Sequence, residues 1–238
     1  MKYRTTEILA GALRRPDLAI RFLRGRLPSE FDLEELTRYI LRSDPVIVEA
    51  GAFDGKDTRA FAEHWPGGHV YAFEPLPLLA QRARANTNHL RNVTLIESAL
   101  GVDESGQAYL YTFGADSEAH GSSSILKPGD HLEVAPEIKF EQRILVKALP
   151  LDEWHASVGS PVIDLMWLDL QGAELRVLAQ GEEALAKTHT LHIEVSRRPL
   201  YEGGATFQEV KSFLLQRGFS LRATRMPVRS GNAIFSRG

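Results

Sequence analysis

The chain has 238 residues, 43% of them hydrophobic and 25% charged, which is enough for one substantial α/β domain of ordinary globular composition. It contains no cysteine, which excludes disulfides, thiolate metal sites and a cysteine nucleophile, and its net charge of −3 argues against a general nucleic-acid binder. No apolar run is long enough to span a membrane and the apolar centre near the N-terminus is too short for a secretory signal, so the expected compartment is cytoplasmic.

Charge is unevenly spread. Residues 1–28 carry seven cations against two anions, leaving a net −8 for the rest of the chain. Ile8, Leu9, Ala12 and Leu13, then Leu18, Ala19, Phe22 and Leu23, recur at helical spacing on either side of Pro16. Residues 1–43 therefore read as a helical N-terminal extension and residues 44–238 as the main domain. A basic amphipathic start suits peripheral contact with anionic lipid or an oligomer contact. A cap that packs on the domain and shows its arginines to water fits the same pattern.

Asp32–Arg42 is predicted as a helix with Leu33, Leu36, Tyr39 and Ile40 on one face. Pro45–Gly55 follows, and the chain is organised around it. Val46-Ile47-Val48 is a β-branched run suited to a strand buried on both faces. Glu49 comes next, then Gly51 and Gly55 with Asp54 before the second glycine, and Lys56–Trp65 reads as a helix. Strand, glycine turn and helix form the first unit of a nucleotide-binding sheet. The spacing is E-x-G-x-x-x-G, which differs from the G-x-G-x-x-G of dinucleotide folds and counts against a nicotinamide cofactor. A carboxylate at this turn would repel a pyrophosphate. It suits a ligand with an amino-acid end, hydroxyls or a positive charge, and S-adenosylmethionine has all three.

The second strand is predicted at His69–Phe73, ending at Glu74-Pro75, with a helix over Leu76–Asn88 and a third strand over Asn92–Ser98. Gln107–Phe113 and Gln142–Leu149 alternate like strands and pair as a hairpin, and the long polar stretch Gly114–Glu141 between them reads as a substrate-side loop. Leu151–Ser157 is a short helix. Val162–Leu170 is an apolar central strand ending at Asp169, and Gln171-Gly172-Ala173-Glu174 turns into a helix that runs to about Ala179. Thr188–Val195 is the fifth strand, Phe207–Arg217 a helix, and Phe219–Ala223 with Asn232–Ser236 an antiparallel terminal pair. The fold class is α/β, with a seven-stranded, mostly parallel, Rossmann-like sheet.

Acids recur at strand ends, where an open parallel sheet gathers its ligands. Glu74 stands where nucleotide folds hold both ribose hydroxyls, because a carboxylate accepts two hydrogen bonds. Asp169 reads as a base or cation ligand, or as a helix cap. His192 and Glu194 share a strand face. His192 is a candidate base or a core histidine. An Asp169, Glu174 and Glu194 trio of oxygen ligands would suit Mg2+. Gln171, Glu194, Arg197 and Tyr201 are read as substrate-side residues, the last two on a loop that also carries Arg198.

Taken together, Glu49-Ala50-Gly51-Ala52-Phe53-Asp54-Gly55, Ala72-Phe73-Glu74-Pro75, Ala99-Leu100-Gly101, Leu168-Asp169-Leu170-Gln171-Gly172-Ala173-Glu174, and Glu194 with Leu200-Tyr201 and Phe219 resemble the FkbM-type methyltransferases. The likeness runs from about Val46 to Phe235. It implies a class I methyltransferase fold, S-adenosylmethionine as cofactor, and O-methylation of a hydroxyl on a sugar, polysaccharide precursor or secondary metabolite. It implies that Glu49, Gly51 and Asp54 lie along the methionine part of the cofactor, and that Ser98 and Ala99 lie near its adenine. The likeness also implies that Asp169 faces the reacting centre. Ala52, Gly55, Thr58 and Pro75 complete the expected cofactor set. Two positions depart from the pattern, Trp167 where the family often has lysine and Gln171 where it commonly has an acid. They leave open a domain that binds cofactor or a partner without turnover.

Overall fold

The computed structural model describes residues 33–101, 106–112, 120–130, 132, 140, 142–227 and 229–238. The amphipathic helices expected within residues 1–28 lie outside them. The first described element is a single helical turn, α1 (Leu33–Leu36). The sequence pattern predicts a helix as far as Arg42. Instead Arg38 and Tyr39 donate to carbonyls three residues back, and the Thr37 hydroxyl bonds the Glu34 carbonyl, so the chain tightens into a turn. Leu36 and Ile40 still reach the core.

Strands β1 (Val46–Ala50), β2 (His69–Phe73) and β3 (Val93–Ile96) are linked by α2 (Lys56–His64) and α3 (Pro77–Thr87). A short strand, β4 (Ala99–Leu100), precedes the hairpin β5 (Gln107–Thr112) and β6 (Gln142–Leu149). Then come α4 (Leu151–Ser157), β7 (Ile163–Leu168), α5 (Glu174–Ala179), α6 (Glu182–Ala186) and β8 (Thr188–Ser196). The last elements are α7 (Phe207–Gln216), β9 (Ser220–Arg225) and β10 (Ser230–Ser236).

Seven strands form one sheet in the order β3-β2-β1-β7-β8-β10-β9. Only β10 runs opposite to the other six strands. The order reverses between β1 and β7, which is where an open α/β sheet makes its ligand crevice. Ile47 and Val48 pair with Leu165 and Met166 across that junction, and the Val46 N–H donates to the Asp164 carboxylate at 2.8 Å from 118 residues away.

Both sheet faces are covered, as parallel strands with few polar residues require. On one face Val48, Met166, Leu191 and Phe235 pack against Leu151, Trp154, Val177 and Leu214 from the helices. On the other, Ile47, Leu165 and Ile234 meet Leu36, Phe61 and Trp65. Trp154 anchors the first core by edge-on contacts with Tyr71 and Phe73, at 5.3 and 5.4 Å between ring centres. Such pairs add about 0.5–1.5 kcal/mol each beyond their area. The second sheet, in the order β4-β6-β5, closes over Leu76 and Leu79 and roofs the β3 end of the crevice.

Candidate active site

A cleft of about 360 Å³ opens at the carboxyl ends of β1, β2 and β7. Its first wall is the glycine turn. The N–H groups of Gly51 and Ala52 both donate to the Phe73 carbonyl, which draws the turn onto the end of β2. Gly51 has a positive φ of 95°, and a Cβ there would stand 2.3 Å from the Asp169 carbonyl oxygen. The end of β1 therefore approaches the end of β7 more closely than a side chain permits. Gly55 has a different task. It does not line the cleft, and a Cβ on it would meet Ala83 of α3 at 2.9 Å, so it sets the packing of α2 on α3.

Glu74 is 4% exposed. Its two carboxylate oxygens accept the N–H groups of Phe53 and Leu76, each at 2.9 Å, which fixes the group while leaving lone pairs for hydroxyls in the cleft. Pro75, Ser98, Ala99, Leu79 and Leu110 continue this half as an apolar slot.

Asp169 stands on the opposite side, exposed to the cleft. Gln171 adopts a left-handed backbone, φ 52°, uncommon outside glycine. This aims its amide group at two acids, with Nε2 donating to Asp169 Oδ1 at 2.6 Å and to Glu194 Oε2 at 2.8 Å. Its Oε1 lies 3.2 Å from the Tyr201 hydroxyl, which is itself 2.8 Å from the Ser122 carbonyl. The Ser124 hydroxyl donates to the Gln171 carbonyl at 2.9 Å. The described part of the long segment 114–141 thus reaches the cleft through Gly121, Ser123, Ser124 and Ile125.

Residues 49–221 match the methyltransferase FkbM domain. The chain is also 34% identical over 183 residues, 76% of this chain and 75% of the other, to the 2-O-methyltransferase NoeI of Sinorhizobium fredii (strain NBRC 101917 / NGR234). The protein belongs to the FkbM methyltransferase family. Among solved structures it is similar in fold to the fibrillarin pre-rRNA processing protein of Methanococcus jannaschii, at a TM-score of 0.51 and 14% identity over 83% of this chain and 68% of that one. The sheet order is that of a class I methyltransferase, and the protein is a methyltransferase.

Several residues expected in the site of this FkbM methyltransferase lie one layer back. Glu49, 1% exposed, does not line the cleft, and the fully buried Thr58 donates its hydroxyl to Glu49 Oε2 at 2.5 Å. The pair supports the turn from beneath. Glu174, expected as an oxygen ligand for a cation, instead accepts the N–H groups of Leu170 (2.8 Å) and Gly172 (3.2 Å) and so ties the Gln171 turn together. With Glu174 engaged, the trio does not fit Mg2+, and among the described residues no cluster of three His, Cys, Asp or Glu side chains is arranged to hold a metal ion. Glu194 and Tyr201 line a small recess behind Gln171, while Arg197 is exposed on its loop and outside the cleft. Gly51, Ala52, Asp54, Glu74, Pro75, Ser98, Ala99, Asp169, Gln171 and His192 are brought together as cleft lining.

Sequence reasoning missed Asp57, Asn232 and two residues of the apolar slot, Leu79 and Leu110. Asp57 had a signal, being one helical turn past Asp54 at the start of α2. Asn232 had none, because only the insertion of β10 beside β8 carries it to the cleft.

Burial controls the electrostatics. It pushes Glu49 up to about 8, with the Thr58 bond opposing, and Glu74 and Glu174 up to about 7, with their backbone N–H bonds opposing. Asp169 is also raised, chiefly by burial and against its hydrogen bonds with Gln171 and Glu194. Glu194 is raised by burial and by the Asp169 charge, and Asp57 by burial and then by Asp54. His192, stacked on Trp167 with 3.6 Å between ring centres, is lowered to about 3 by burial and then by Arg225, and is neutral at physiological pH.

These shifts set the pH dependence of stability. Glu49, Glu74 and Glu174 hold protons more tightly folded than unfolded. Their contribution is full below about pH 4.5 and is lost as pH rises through about 7–8. His192 acts oppositely, its contribution being present above about pH 6.5 and lost as pH falls towards about 3. The ligand-free protein is therefore expected to melt several degrees lower at about pH 8.5 than at about pH 6.5, with Glu49 alone contributing about 2 kcal/mol. Glu49→Gln flattens this fall. Melting curves across that range check it, and a wild-type midpoint independent of pH contradicts it.

Proposed function

We propose that the protein is an S-adenosylmethionine-dependent O-methyltransferase acting on a hydroxyl of a sugar, polysaccharide precursor or secondary metabolite. The observation that carries this is the placement of two carboxyl groups across one cleft. Glu74 is fixed by two backbone N–H groups on the nucleotide side, and Asp169 is held by Gln171 on the other. O-methylation is supported by the 34% identity to a 2-O-methyltransferase.

The residues present fit S-adenosylmethionine. Glu74 has lone pairs for ribose hydroxyls, Leu79, Ala99 and Leu110 offer an apolar slot for adenine, and Asp54 and Asp57 offer acceptors for an ammonium group. When bound, this cofactor supplies an electrophilic methyl group on a sulfonium, and the reaction makes an O–CH3 bond as an S–CH3 bond breaks. The protein must then align the acceptor hydroxyl and take its proton. Asp169 takes that proton on a carboxylate oxygen. Its raised pKa suits the task, and Gln171 orients it. His192, with a pKa near 3, is a poor acceptor at neutral pH and serves as part of the wall. No step passes through a metal.

Calorimetric titration with S-adenosylhomocysteine, with NAD alongside, tests the assignment. Micromolar binding of the first and none of the second is expected. Glu74→Ala is expected to weaken it by at least about tenfold, because hydrogen bonds to a charged group contribute about 1.5–3 kcal/mol each. Failure of the wild type to bind S-adenosylhomocysteine refutes it.

A further inference from the structure

The sheet order divides the cleft. Ends of β1, β2 and β3 form the half that holds Glu74, and β7, β8 and β10 supply Trp167, Asp169, His192 and Asn232 to the other. Trp167 and Asp169 share a strand face, as do His192 and Glu194. The register sets Trp167 opposite His192 and Glu194 opposite Asn232. This half adjoins the proposed base, so it is where an acceptor hydroxyl must lie.

Among the described residues its wall carries no cationic side chain. The half-buried indole of Trp167 lies nearly parallel to the His192 ring, 14° apart, and Phe61 packs on it at 5.3 Å in an edge-on contact. Asn232 adds an amide. The ionisable acids of the whole cleft are Asp54, Asp57, Glu74 and Asp169, and among the described residues no lysine or arginine lines it. A carboxyl group, ionised or not, never presents positive charge.

We infer that the acceptor half selects uncharged hydroxylated acceptors over anionic ones such as uronates and sugar phosphates, and that Trp167 is the residue that sets this choice. This rests on the proposed O-methylation of a sugar-like hydroxyl. An indole offers apolar surface to the C–H face of a sugar ring and one N–H donor to a hydroxyl. An anionic group placed there faces like charge, which is an effective way to reject a competitor. Stacking on His192 and the contact with Phe61 hold the indole in place.

The test uses the full chain and methyl-labelled S-adenosylmethionine with matched probes: methyl glycosides, the corresponding uronates and the corresponding 6-phosphates. Labelled products are separated by anion exchange. The inference expects kcat/KM at least about tenfold higher for the neutral member of each pair that reacts. It expects Trp167→Lys to reduce that ratio by about tenfold or more. Asn232→Lys places a cation on the same half from β10 without removing the Trp167 stack, and is expected to shift the ratio in the same direction. Equal or greater labelling of the anionic members by the wild type overturns the inference while leaving the proposed function standing. A ratio unchanged in both variants, each shown to be folded, overturns the assignment to this wall. Label in neither class, with S-adenosylhomocysteine bound, overturns the proposed function itself and the inference with it.

Discussion

Asp169→Asn is expected to lower kcat by roughly 10²–10⁴-fold, the usual contribution of a positioned general base. The substitution keeps the shape of the side chain, and its amide oxygen still accepts from Gln171 Nε2, which stands 2.6 Å from Asp169 Oδ1. What is lost is a group that takes a proton at neutral pH. S-adenosylhomocysteine carries no sulfonium charge, so its affinity is expected to change little, and single-turnover methyl transfer isolates the chemical step. His192→Ala is expected to slow turnover far less, since burial holds that imidazole neutral and weakly basic. In the wild type, kcat should rise with pH through the raised pKa of Asp169. If Asp169→Asn turns over within about tenfold of wild type, the proton goes elsewhere.

Gly51→Ala is expected to be strongly damaging to both stability and binding. The φ of 95° alone disfavours any Cβ by about 1–2 kcal/mol. A Cβ 2.3 Å from the Asp169 carbonyl oxygen adds an overlap between two backbones, which typically costs a further 1–3 kcal/mol, roughly, because neither can turn aside. At about 2–4 °C per kcal/mol, the melting temperature should fall by roughly 5–15 °C, and cofactor binding should go with it. Gly159→Ala is the control. That glycine also has a positive φ, 86°, but a Cβ there meets nothing within 4 Å. It should show the conformational cost without the overlap. Equal effects at the two positions would mean that the contact between turn and acid is unimportant.

Much of this was legible in the sequence where burial leaves a continuous signal. The β1, β2 and β7 segments are nearly unbroken apolar runs, and each ends at residues that line the cleft or support it. Glu74, Asp169 and the glycine turn follow from that pattern alone. Other features depended on tertiary facts. β4 is two residues long and exists only because it pairs with Ala148 and Leu149, so Ala99-Leu100 read as a connection. α6 has five residues, too few for a helical period to show. Glu174 resembled a site acid because nothing local announces that Gln171 takes a left-handed conformation and turns two N–H groups towards it. Glu49 and Thr58 are nine residues apart, and only the seating of α2 under the turn reveals that they satisfy each other.

The junction between β1 and β7 also bears on how the protein forms. Its strands come from segments well separated along the chain, as the bond between Val46 and Asp164 across 118 residues marks. Closing so long a loop has an entropic cost that local contacts cannot offset in advance, and such pairings tend to form late and slowly. The glycine turn is shaped by Phe73 on one side and the Asp169 carbonyl on the other, so it acquires its final form only when that pairing is made. A partly folded chain can hold the β1–β2–β3 half intact and still lack the cleft. Regained affinity for ligand during refolding is therefore expected to mark the moment at which β1 and β7 pair.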